Sequence, residues 1–226
     1  MQLRIGLILQ MIDPNQVQRC PIFQIPPVHS YQYKGDIDSL YNYVMNLEYR
    51  EKTDNTKSQR TDLLEHKELF DLKKFCSECI QHYSLEVCGS RKEIDIQQSW
   101  SNLAYKNDMH NEHFHANSYL SGVFYLRNDT TPIMFHADGL IEKYFFSVRP
   151  EIAPDVQVEI DQGKRYLPSI GGIMAVAAKP GTLLVFSSRS THSVPPNMSD
   201  NPRLSIAFNT FPKLPFGDYR ALTYIE

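Results

Sequence analysis

Two histidines, His113 and His115, stand two residues apart in "MHNEHFHANSYLSGVFYL" (109–126), directly ahead of a run rich in Tyr, Phe and Val. Alternate side chains of an extended chain point the same way, so the pair presents two imidazoles on one face and Phe114 on the other. That is half of a metal site, or simply two loop histidines, and H-x-H alone does not decide between them. Downstream, "PGTLLVFSSRSTHSVPPNMSDNPRLSIAFN" (180–209) carries His192 at the start of a short strand and, eleven positions later, Arg203 followed by Ser205. On a strand Arg203, Ser205, Ala207 and Asn209 share one face, with Leu204, Ile206 and Phe208 on the other. An unpaired buried guanidinium is costly, so an Arg heading a core strand makes sense where a carboxylate arrives from outside. The plain alternative is a pair with a surface Asp or Glu.

These residues need strands to hold them, and the sequence supplies strands from about residue 94 onward. "IDIQQSWSNLAY", "SYLSGVFYLR", "TPIMFHAD", "KYFFSVRP", "VQVEI", "GTLLVFS", "HSVPP" and "RLSIAFNTF" are short β-rich runs separated by turn signals such as "RNDTTP", "ADG", "KPG" and "NMSDNPR". Regular punctuation of this kind indicates a sandwich or barrel. Ahead of them, "DIDSLYNYVMNLEYR" (36–50) has helical spacing with Asp36 placed as a cap, and "LLEHKELFDLKKFCSECIQHYSLEV" reads as a longer helix ending near Gly89. Residues 20–33 are extended and Pro-rich, and 51–61 are polar loop. The expectation is a mainly β fold with a helical N-terminal layer (α+β), a double-stranded β-helix or jelly roll. It forms a single domain over 1–226, with 1–93 an extended segment plus packing helices and 94–226 the β core. The 139–175 insert, with Gly163, Gly171 and Gly172, reads either as a hinged lid or as a plain long loop.

Composition narrows the class. The chain has 226 residues, 42% hydrophobic and 22% charged, enough to bury a core. A net charge of −3 and a pI near 6.2 give nucleic-acid binding no support. No run reaches the roughly 20 apolar residues a membrane span needs. "MQLRIGLILQM" is too short for a secretory segment; a first strand is expected there, with Met11 an alternative start. Four cysteines suit a reducing cytosol rather than a disulfide scaffold. "CSEC" (Cys76, Cys79), with Cys88 and His82 nearby, has zinc-like spacing, but it lies in an amphipathic helical pattern and reads as core.

H-x-H, a distal His and Arg-x-Ser are together far more specific than any one of them. The set matches the logic of a non-haem Fe(II) site, with two ligands from one strand, a third from a facing strand and open positions on one side of the metal. At the motif level "SWSNLAY…HNEHFHANSYLSGVFYL…PGTLLVFSSRSTHSVPPN…RLSIAFN" resembles the 2-oxoglutarate/Fe(II) oxygenases of marine bacteria and their phages. Those carry W-x-N, H-x-H-P, S-G-V-Y-Y, G-x-L-L-x-F, a distal His and R-x-S-x-x-F-N. The resemblance runs over about residues 98–211, with "PIF" at 21–23. It implies a double-stranded β-helix, Fe(II), 2-oxoglutarate and dioxygen, and hydroxylation of a substrate that is a small molecule or a protein side chain. His113 and His192 carry over as iron ligands, and Arg203 with Ser205 as the 2-oxoglutarate anchor.

Two positions depart from the pattern. Ala116 stands where Pro follows H-x-H. His115 stands where the wider superfamily has a carboxylate, so Fe(II) would keep about two net positive charges instead of about one. Asp138 in "IMFHADG" is the alternate ligand, at the end of a strand expected to run beside the one bearing His192, and His136 is a weaker one. Two other readings remain at this point. One is a cupin-like metalloenzyme with three histidines and no 2-oxo acid, although the Glu that follows H-x-H in cupins is absent. The other is a non-catalytic jelly roll serving as a structural or binding module.

Overall fold

The computed structural model describes residues 27–50, 56–58, 60–128, 131–136 and 173–215. Asp138, "KYFFSVRP", "VQVEI", the lid glycines, "PIF" and the N-terminal ten residues fall outside that range. In chain order the elements are β1 (His29–Gln32), α1 (Ile37–Met45), β2 (Thr56–Lys57), 3₁₀ turns at Leu63–Glu65 and Lys67–Leu69, α2 (Phe70–Cys88), β3 (Ile94–Ala104), β4 (His110–His113), β5 (Leu120–Arg127), β6 (Ile133–His136), β7 (Ile173–Val176), β8 (Thr182–Ser187), β9 (His192–Val194) and β10 (Arg203–Pro212). They pair antiparallel into a six-stranded sheet, β1-β8-β5-β10-β3-β2, and a four-stranded sheet, β4-β9-β6-β7. The eight strands β3 to β10 divide equally between the two sheets, which is the expected double-stranded β-helix.

Alternation along β10 explains the layering. Leu204, Ile206 and Phe208 join the core between the large sheet and the helices, with Leu40 and Val44 from α1 and Leu72 and Ile80 from α2. Arg203, Ser205 and Ala207 point the other way, into the space between the sheets. Strand β8 buries both faces, Leu183 and Val185 toward the helices and Leu184 and Phe186 toward the small sheet, which is why "TLLVF" reads as one apolar run. At Gly122 of β5, the ring of Phe208 fills the space a Cβ would take.

Helix α1 begins as expected: the Asp36 carboxylate accepts from the Ser39 N–H at 3.0 Å. It stops at Met45 rather than near residue 50, and the expected loop at 51–61 contains β2, which pairs with β3. The second helix starts later than its sequence pattern suggests, because extended backbone at His66 (φ −71°, ψ 136°) separates a first 3₁₀ turn from a second one that leads directly into α2. Leu63, Leu64 and Leu69 are all buried, and the Leu64 N–H donates to Ser99 Oγ at 2.8 Å, tying the first turn to the sheet. Gly89 ends α2 in the left-handed region (φ 64°), with Ser90 N–H returning to the Ser84 carbonyl.

Cys76 and Cys79 lie in the helix-side core with their thiols pushed up by burial, Cys79 to about 12. His82 instead engages the Tyr31 hydroxyl through Nδ1 at 3.0 Å, so the core reading of "CSEC" holds. Asn128 and Asn197, which match a glycosylation sequon, are buried staples: Asn128 Nδ2 donates to the Thr131 and Ala178 carbonyls, and Asn197 Nδ2 to those of Ala104 and Asn201.

Candidate active site

Strand pairing brings the histidines together. His113, the last residue of β4, is the register partner of His192, the first residue of β9, and their ring centroids lie 4.4 Å apart. His115 follows in the loop, where its N–H donates to the Ser188 carbonyl at 2.9 Å. Its ring lies 5.3 Å from that of His113 and 5.1 Å from that of His192. One ligand nitrogen from each of the three lies within 4.8 Å of the others, and among the described residues this is the group of three or more His, Cys, Asp or Glu side chains suited to a metal ion. Phe114 is exposed, as the alternation predicts.

The main chain sets the tautomer of two of these histidines. Nδ1 of His113 meets the Asn111 carbonyl at 2.7 Å, and Nδ1 of His192 meets the Ser190 carbonyl at 2.9 Å. A carbonyl only accepts, so each ring carries its proton on Nδ1 and keeps the Nε2 lone pair for a metal. His192 is buried against Phe186 and Phe135, with ring centroids at 5.0 and 5.8 Å. Burial pushes its pKa down to about 4, helped by His113 and His136 and opposed by the Ser190 carbonyl. It is therefore neutral at physiological pH, as a ligand must be.

A cavity of about 260 Å³ joins this trio to Arg203 and Ser205. Arg203 is 4% exposed, and its Nε has no hydrogen-bond partner among the described residues. Burial lowers its pKa, while Tyr125 and Asp108 act in the opposite sense. A guanidinium this buried, with a free Nε, has a donor left for an anion, and the plain alternative of a surface ion pair does not describe it. Ser205 is buried one step along the same face, opposite Asn102 on β3 and Tyr125 on β5. Trp100 and Asn102 also line the cavity, the indole N–H donating to Asn102 Oδ1 at 3.1 Å. The donor set fits Fe(II) with a dicarboxylate: three imidazole nitrogens converge at one end, and a buried guanidinium with an unpartnered Nε lies beside a hydroxyl in the same cavity.

His136 is not among the converging nitrogens. On β6 it is Phe135, not His136, that pairs with His192, so the next residue turns to the outer face of the small sheet. There His136 Nε2 meets Ser193 Oγ at 2.7 Å, and Nδ1 lies 3.5 Å from Glu112. β6 does run beside β9 as expected, but Asp138 lies outside the described residues.

Two cavity residues escaped the sequence reading. Tyr125 is buried with its hydroxyl pKa pushed up to about 12, and it was legible: Val123 and Tyr125, two apart on β5, both fall on the cavity side. His110 was not legible, because simple alternation from His113 puts it on the opposite face.

Residues 98–209 match the family model described as "Putative 2OG-Fe(II) oxygenase". Among solved structures the chain is similar to HygX from Streptomyces hygroscopicus with nickel and 2-oxoglutarate bound, at 12% identity over 88% of this chain and 91% of that one, with a TM-score of 0.54. It is also similar to the epimerase SnoN in complex with Fe3+, alpha ketoglutarate and nogalamycin RO, at 14% identity over 82% of this chain and 78% of that one, with a TM-score of 0.54. No curated protein matches the chain. At these identities the structural likeness speaks for the double-stranded β-helix fold.

Proposed function

We propose, from the 2-oxoglutarate- and Fe(II)-dependent oxygenase core that residues 98–209 constitute, that His113, His115 and His192 hold the iron and that Arg203 with Ser205 anchors 2-oxoglutarate. The reaction is hydroxylation of an organic substrate, a small molecule or a protein side chain. Iron and 2-oxoglutarate bound here supply oxidative decarboxylation of the 2-oxo acid to succinate and carbon dioxide, with one oxygen atom of dioxygen passed to a substrate C–H bond. The chain's own part is binding and orientation. Arg203 neutralises the far carboxylate through a planar fork, Ser205 donates beside it, and Phe135 and Phe186 keep water from the His192 side. The resemblance to oxygenases of marine bacteria and phages supports the same residue roles.

The observation that carries this reading is the buried, unpartnered Nε of Arg203 in the cavity the three histidines share. The test is anaerobic titration of the protein with Fe(II) and then 2-oxoglutarate, followed by the visible charge-transfer band of the chelate and, in air, by succinate release. A second reading, a three-histidine metalloenzyme without a 2-oxo acid, is favoured by His115 standing in the carboxylate position. It predicts Fe(II) binding with no band on adding 2-oxoglutarate. Profiling cell extract for masses that gain one oxygen addresses the substrate.

A further inference from the structure

Strand β4 contains one residue too many. Its register with β9 runs His110 to Val194 and His113 to His192, so three steps on β4 oppose two on β9. The extra residue is a β-bulge at Asn111–Glu112, a device that re-aims side chains and forgoes ladder hydrogen bonds to do so. Here it reverses the alternation, and His110 and His113 both point into the cavity. Their ring centroids lie 5.3 Å apart.

The position of His110 along the cavity indicates what it meets. From the histidine row, β9 ends at Val194 and the chain continues to Asn197, whose side chain holds the Ala104 carbonyl at 3.1 Å, and Ala104 is the register partner of Arg203. His110, level with Val194, therefore lies on the Arg203 side of the histidine row in the shared cavity. It is also two residues from Asp108, the carboxylate that acts on Arg203. That is the stretch a dicarboxylate spans when chelated at one end and paired with Arg203 at the other.

We propose that His110 is a further binding residue for the 2-oxo acid, donating an imidazole N–H to one of its carboxylate oxygens. The proposal rests on the function given above. Calorimetry on Mn(II)-loaded protein, which binds without turnover, tests it. His110→Ala and His110→Phe raise the 2-oxoglutarate Kd about tenfold to a hundredfold, the loss of one hydrogen bond to a charged group. His110→Asn, which keeps an N–H donor, recovers part of the affinity. Mn(II) affinity measured without 2-oxoglutarate stays at the wild-type value in all three. Wild-type 2-oxoglutarate affinity in both the Ala and Phe variants overturns the inference, as does an equal loss of Mn(II) affinity. If Arg203→Ala weakens 2-oxoglutarate while the His110 variants do not, only this inference falls. If wild-type protein binds Mn(II) but no 2-oxoglutarate, the function itself falls.

Discussion

His113 and His192 are direct partners across the β4–β9 ladder, with ring centroids 4.4 Å apart. Two of the proposed ligands are thus fixed by strand pairing, and only His115 depends on a loop. That division of labour makes the ligands distinguishable by mutation.

Removing His192 costs metal and packing together. Its ring is buried against Phe135 and Phe186, so His192→Ala leaves a void. The variant is expected to lose Fe(II) binding at micromolar metal and about 1–3 kcal/mol of apo-protein stability. Metal titration beside chemical denaturation reads both, and unchanged iron affinity would remove His192 from the site.

The second ligand is tested by a pair of variants. His115→Ala is expected to weaken iron binding by at least tenfold more than Asp138→Ala, because its nitrogen converges with the other two. The reverse order in parallel titrations would transfer the role to Asp138.

Arg203 is expected to work against stability while it serves binding. Arg203→Ala raises the apparent 2-oxoglutarate constant by about one to three orders of magnitude, the range for a bidentate charge-assisted pair. Arg203→Lys restores only part, since it offers a point charge instead of a planar fork. Iron affinity is unchanged in both. Arg203→Met is expected to stabilise the apo-protein by about 1 kcal/mol or more, because it removes a buried cation lacking a partner at Nε. A lower melting temperature for Arg203→Met, together with unchanged 2-oxoglutarate affinity, would make the guanidinium a structural group.

Gly122 offers a test of the fold alone. An alanine there drives its Cβ into the Phe208 ring, which is fully buried among the helix-side residues. Gly122→Ala is expected to cost about 1–3 kcal/mol in urea unfolding, through overpacking. Wild-type stability would mean that Phe208 has room to move.

Period-two alternation made much of this legible. It sorted β10 into a cavity face with Arg203 and Ser205 and a core face with Leu204, Ile206 and Phe208, and it placed His113 and His115 together. What it missed was set by non-local pairing. The bulge that turns His110 inward exists only against β9, and β2 is a strand only because β3 lies beside it. A second irregularity, where Asn209 pairs with Gln98 but Thr210 with Ile96, puts Ile94 and Ile96 on the same side as Leu103 although their parity differs. The helical spacing after Leu63 was real, yet burying Leu63, Leu64 and Leu69 against the sheet broke that stretch into 3₁₀ turns.

The proton on Nδ1 of His113 and of His192 is held by the carbonyls of Asn111 and Ser190, two residues upstream in each case. The groups that orient these proposed ligands are therefore not encoded by any side chain. Single substitutions at 111 or 190 leave the acceptors in place as long as the backbone path is kept. In mutational terms the site has an outer layer that point mutations cannot delete, and its weak point is strand register: an insertion or deletion between 110 and 113 would misplace a ligand, its acceptor and His110 in one event.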